Sequence, residues 1–140
     1  YMGKRRVVTD LELHVADARA LPWEEAEFDL LIDSQVSQHL PWLEHGPAYR
    51  EYARVLGSKG WFWLCHADDG TDAATIREPP WDWKVVTLFP SVELFCLPPP
   101  EALTKMVQDA GFAIIERRRL ARTYPDGQVA SYTILAGMKL

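Results

Sequence analysis

Apolar and polar residues alternate through the start of the chain. Val7 and Val8 are followed by Leu11, Leu13 and Val15, with Glu12 and His14 between them. A two-residue period of this kind predicts a strand reaching about Ala16. The period changes at Phe28 to Ile32, which is almost continuously apolar, as expected of a parallel strand covered on both faces. Pro47 fits the first turn of a helix running to about Leu56, with Ala48, Tyr52, Ala53, Val55 and Leu56 as its buried stripe. Gly57 and Gly60 then bracket a turn into a strand from Trp61 to Cys65.

From Asp68 to Pro99 neither period holds. Five prolines (Pro79, Pro80, Pro90, Pro98 and Pro99) interleave with Trp81, Trp83, Phe89 and Phe95, which predicts a loop-rich insertion or lid over 68–99. Pro100-Glu101 opens a second helix that places Leu103, Met106, Val107 and Ala110 on one face, and Gly111 suits the left-handed residue that ends it. Phe112 to Ile115 and Tyr132 to Gly137 read as the last strands, with Pro125-Asp126-Gly127 turning between them. Alternating strands and helices without an internal repeat imply a single α/β domain over 1–140.

Composition narrows the class. With 48% hydrophobic and 25% charged residues the chain is expected to fold as a soluble globule. A net charge of −5 argues against nucleic acid and anionic membrane surfaces as partners, because neutralising phosphates requires a basic surplus. No apolar run approaches the length of a membrane span, and none resembles the core of a signal peptide. Cys65 and Cys96 are far apart and form no CxxC, which fits reduced, buried thiols and a cytoplasmic setting. Met2 follows Tyr1, so either Met2 is an initiator after a tag remnant or the sequence is an internal piece of a longer chain.

The order of elements carries a resemblance. LELHVADARALPWEEAEFDLLIDSQVSQHL, then PAYREYARVLGSKGWFWLCHA, resembles the class I S-adenosylmethionine-dependent methyltransferases, and the likeness runs from Leu11 to Lys139. It implies a Rossmann-like sheet, mostly parallel with an antiparallel C-terminal strand, and S-adenosylmethionine as cofactor. Asp17 and Ala18, followed by Leu21-Pro22-Trp23, resemble the family's segment at the adenine ring, where an aspartate accepts from the exocyclic amine. Asp17 equally suits a turn after a strand. Asp33, Ser34 and Gln35 would lie beyond the carboxyl end of their strand, where α/β sheets collect ligands. In the family this stretch sits beside the methionine part of the cofactor and the methyl acceptor, so Gln38 and His39 join it as candidates. His39 suits a general base by its near-neutral pKa, and a surface or helix-packing role equally well. Trp81, Trp83 and Phe89 are candidate walls of an acceptor pocket, or else core or interface residues. Arg54-Val55-Leu56 with Gly57-Ser58-Lys59-Gly60 resembles the family's helix-to-strand junction, with Ser58-Lys59 replacing a customary Pro-Gly pair.

One family element has no counterpart. A glycine-rich loop should follow the first strand and let the backbone approach the methionine moiety. The only glycine before Gly46 is Gly3, and no GxG occurs. Two copies would not supply the loop to each other. The family's N-terminal strands are missing as well, so the edge of Phe28–Ile32 is expected to need cover, by an inward shift of the first strand, by a homodimer joining sheets, or by another sheet-edge partner. The functional expectation is methyl transfer to a small-molecule acceptor, and the alternative is a truncated, non-catalytic module serving in oligomerisation or partner binding. Two further clusters read as solvated: Arg117, Arg118, Arg119 and Arg122 on an edge strand, and His66, Asp68, Asp69 and Asp72, whose spacing matches no metal loop.

Overall fold

A computed structural model describes residues 10–70, 81–86 and 92–140. The elements run β1 (Phe28–Ser34), a single 3₁₀ turn (Ser37–His39), α1 (Trp42–Val55), β2 (Leu56–Ala67), β3 (Asp82–Val86), β4 (Val92–Cys96), α2 (Pro100–Asp109), β5 (Phe112–Thr123) and β6 (Val129–Lys139). Four strands form one mixed sheet in the order β1-β2-β6-β5, and β3 and β4 pair as a separate hairpin. β1 and β2 are parallel, as expected for strands joined through a helix, whereas β2–β6 and β6–β5 are antiparallel. The α/β class and the antiparallel C-terminal strand expected of the family are therefore present.

The core lies between the two helices and one face of the sheet. Tyr49 and Tyr52 of α1, Leu103 and Val107 of α2, and Phe62, Leu64, Phe112 and Leu135 of the sheet close upon one another. All five residues expected to form the α1 stripe are buried. Phe62 stacks on Phe112 with ring centroids 4.6 Å apart, joining β2 to β5 through the layer beneath the helices.

Three expectations are corrected. The first strand does not form across residues 10–16, where Leu11, Leu13 and Val15 are exposed; residues 7–9 lie outside the described residues. Alternation creates an amphipathic strip, but a strand also needs a neighbour to bond to, and no described residue pairs with the outer edge of β1. Second, β1 is not covered on both faces. Leu30 is 54% exposed and Ile32 60%, on the side opposite the helices. Third, α1 begins at Trp42, so Pro47 sits inside the helix rather than in its first turn. The earlier start is held by Asp82, whose Oδ1 accepts the Trp42 N–H at 2.8 Å and satisfies a donor that a helix start leaves unpaired. Pro47 costs the helix one hydrogen bond, offset by burial of Trp42 and His45 in the added turn.

Other boundaries move outward. β5 and β6 continue past Ile115 and before Tyr132, as far as the turn at residues 124–128. There Tyr124 and Gln128 close a backbone bond of 2.8 Å, Asp126 accepts the Gln128 N–H, and Gly127 takes a positive φ of 84°. An edge strand tolerates the arginines of β5 because their charges can reach water. At the other turn, the Leu21-Pro22-Trp23 segment is clamped to α1. The Arg54 guanidinium donates to the Leu21 and Trp23 carbonyls, and Glu51 accepts the Leu21 N–H.

Candidate functional site

The carboxyl ends of β1 and β2 open into a cleft of about 1200 Å³. Gln35, Gln38 and His39 form one wall, Ala67, Asp68 and Asp69 its floor, and Leu97 with the β5–β6 hairpin (Arg119, Leu120, Tyr124, Tyr132) the other wall. This is the side on which open α/β sheets take ligands. Gln35 follows β1 with φ 63°, a left-handed conformation costly for a residue with a Cβ, and its N–H is held by the Cys65 carbonyl at 2.8 Å. The kink turns the chain from the strand into the short helical turn that presents Gln38 and His39.

Asp33 fixes that turn from beneath. It is buried, and its carboxylate accepts the Val36 N–H at 2.9 Å, the Ser37 N–H at 3.3 Å and the Tyr52 hydroxyl at 3.1 Å. Burial, followed by this carboxylate, pushes the Tyr52 hydroxyl well above its ordinary pKa, so Tyr52 remains a donor. Ser37 Oγ lies 3.2 Å from the Tyr49 hydroxyl, a second tie between the turn and α1. Asp33 thus shapes the site with its carboxylate engaged by the chain's own donors.

Gln38 is tied to the strand beside it. Its Oε1 accepts the Ala67 N–H at 2.9 Å, linking the turn to the last residue of β2. Below that link lie two fully buried histidines on α1 and β2, with His45 Nε2 2.8 Å from His66 Nε2. His45 Nδ1 faces the Pro41 carbonyl at 3.0 Å and His66 Nδ1 faces the Ala67 carbonyl at 2.6 Å. Burial depresses both, His66 to about 3, so His66 is neutral near pH 7; two neutral rings would carry only two N–H groups for these three contacts, so one contact then goes without a proton. The pair ties the start of α1 to the floor of the cleft.

The floor carries an anchored ion pair. Asp68 is buried and accepts from Arg119 Nη2 at 3.0 Å, from the Thr133 hydroxyl at 2.8 Å and from the Gly70 N–H at 2.8 Å. Burial opposes its ionisation, but Arg119 and the neighbouring donors prevail and keep its pKa below the ordinary value. Two side chains read as solvated from sequence therefore bind each other across the end of the sheet. Tyr124 and Tyr132 line the same cleft with hydroxyls 3.5 Å apart, and the Arg122 guanidinium lies over the Tyr124 ring.

Of the residues singled out from sequence, Gln35, Gln38 and His39 meet at this cleft. Asp17, Ala18, Asp33, Ser34 and Trp81 are not among its lining. Asp17 is exposed, and Arg19 holds it through its backbone N–H and its guanidinium, which lowers the carboxyl to about 2. Ala18 packs against the core. Trp81 stands edge-on to Trp42, with centroids 4.7 Å apart. The Trp83 side chain, Phe89 and Asp72 lie outside the described residues. Sequence reasoning missed the tyrosine wall and the histidine pair. The spacing of Tyr124 and Tyr132 about the Pro125-Asp126-Gly127 turn was the available signal for the former.

Comparison with known proteins bears on the fold. The family model described as a methyltransferase domain matches residues 2–64. A S-adenosylmethionine-dependent methyltransferase from Methanosarcina mazei superposes with a TM-score of 0.75 at 16% identity, over 91% of this chain and 66% of that one. The chain has the class I methyltransferase fold. The 1,6-didemethyltoxoflavin N1-methyltransferase of Burkholderia thailandensis, solved with its substrate and S-adenosylhomocysteine, matches at TM-score 0.65 and 17% identity, over 89% of this chain and 48% of that one. The same fold also matches the cyclase SpnF at TM-score 0.64 and 17% identity, over 90% of this chain and 56% of that one. The chain thus spans about half to two thirds of the length of these methyltransferase-fold structures. No match was found among curated proteins.

Proposed function

We propose that this chain carries the adenine-side and acceptor-side parts of a S-adenosylmethionine-dependent site that methylates a small molecule. The observation that carries the reading is the cleft at the carboxyl ends of β1 and β2, walled by Gln35, Gln38 and His39. The family match and the neighbours' names support the cofactor; the didemethyltoxoflavin enzyme supports a small acceptor by analogy only.

The residues present fit part of the cofactor. Asp17, exposed beyond the core, retains lone pairs besides those taken by Arg19 and would accept from the adenine amine beside Ala18. Ser34 and Gln35 would flank the methionine end, over the turn that Asp33 shapes. No GxG loop exists in these 140 residues to cradle that end. The cofactor supplies an electrophilic methyl group; the chain's contribution is to hold the acceptor in line with it and exclude water. Gln38 would orient the acceptor, and His39 would take the proton its nucleophile releases.

Calorimetric titration with S-adenosylhomocysteine tests the reading. Saturable one-to-one binding, weakened by Asp17→Ala, is expected, and no heat of binding at about millimolar ligand would overturn it.

A second reading rests on a different observation. The outer edge of β1 is unpaired among the described residues, and Leu30, Ile32 and Trp61 stand exposed on the sheet face opposite the helices. A non-catalytic module that joins sheets with a second copy would cover both.

A further inference from the structure

Gln38 is 3% exposed, yet the amino half of its amide has no partner among the described residues. Its orientation is fixed by elementary chemistry. The Ala67 backbone N–H can only donate, so the side-chain atom facing it at 2.9 Å must be the oxygen. The Nε2 group is left with two protons, and none of the described residues accepts either of them. Gln38 is one of the residues that line the cleft. Its Nε2 group is a preset donor: its rotamer is locked by a bond to the end of β2, and orienting it costs a ligand little.

The surroundings restrict what it can receive. Asp68 and Arg119 neutralise each other on the floor of the cleft, and Arg122 is engaged over the Tyr124 ring. Opposite Gln38, Tyr124 and Tyr132 offer ring surface with two hydroxyls close together. We propose that the cleft binds an uncharged planar ring compound whose carbonyl oxygen or ring nitrogen accepts from Gln38 Nε2 while its flat face lies against the tyrosine wall. This rests on the acceptor-side reading above and adds to it the chemical class of the acceptor. A site built around a fixed donor discriminates strongly against a ligand that leaves the donor unmet.

Three matched bicyclic probes test this by NMR titration of the whole chain without cofactor: isoquinolin-1-one, naphthalene and 1-naphthoate. The first should bind at least about tenfold more tightly than the other two and shift the Gln38 side-chain NH2 resonances. Gln38→Glu retains an oxygen for the Ala67 N–H but replaces the donor by an acceptor. It should reduce isoquinolin-1-one affinity to that of naphthalene and leave naphthalene unchanged. If that variant does not fold, the wild-type NH2 shifts decide. Equal affinity for isoquinolin-1-one and naphthalene, binding that leaves the Gln38 NH2 unmoved, or no binding of any probe overturns the proposal. Because S-adenosylhomocysteine is not needed, failure here is distinguishable from failure of the cofactor reading.

Discussion

Two residues illustrate how this chain departs from the easiest local choice. Lys59 takes a φ of 62° in the turn between α1 and the paired part of β2, a conformation that costs a residue with a Cβ about 1–2 kcal/mol. The related family customarily writes this junction with Pro-Gly-Gly, so Lys59 occupies a glycine's position. Lys59→Gly should raise stability by about 0.5–1 kcal/mol in chemical denaturation, the steric relief exceeding the entropy of a freer unfolded chain. His66 is the opposite case, a titratable group held neutral by burial against His45, near His39 and Asp68. Its folded pKa, about 3, lies below the ordinary 6.5, so the unfolded chain binds a proton that the folded chain refuses. The stabilisation is complete above pH 6.5 and is lost as pH falls from there toward 3, at up to about 1.4 kcal/mol per unit. Stability of His66→Gln, followed by urea unfolding from pH 7 to 4.5, should fall less steeply than wild type; an identical slope would place the acid sensitivity elsewhere.

At the scale of elements, one close approach fixes the β5–β6 register. A Cβ built at Gly137 would stand 2.6 Å from the Ala113 carbonyl oxygen, next to the irregularity between Ile114 and Glu116. Gly137→Ala should therefore cost about 1–3 kcal/mol, read as a lowered denaturation midpoint. Elements whose signal was local were legible in the sequence. The stripe of α1, the proline-opened α2, Gly111 with φ 105° and the turn at Gly127 all follow from period or backbone chemistry. What was not legible depended on distant partners. The start of α1 rests on Asp82, forty residues away, and the missing first strand on the lack of a neighbour among the described residues. The site divides in the same way. Gln35, Gln38 and His39 follow β1 directly, so position identified them, whereas Asp68 and Arg119 or His45 and His66 meet only through the fold.

The whole molecule presents one finished face and one unfinished one. Helices cover Phe62, Leu64 and Leu135, while on the reverse Leu30, Ile32 and Trp61 are half or more exposed beside a groove of about 330 Å³ lined by Trp63, Ile134 and Ala136 together with Glu116 and Arg118. Apolar sheet surface next to an unpaired edge favours association. Light scattering should give twice the 16.0 kDa chain mass, falling to the monomer in Ile32→Lys. A wild-type monomer at about 100 μM would contradict the sheet-joining reading while leaving the cleft unaffected.

The cofactor remains the central claim, because the fold alone is compatible with chemistry other than methyl transfer, as the cyclase neighbour indicates. Its most direct measurement is calorimetric titration of the 140-residue chain with S-adenosylhomocysteine. The account predicts saturable, one-to-one binding, weaker than in a site with a glycine loop and weaker again in Asp17→Ala. A flat titration at about millimolar ligand would contradict it.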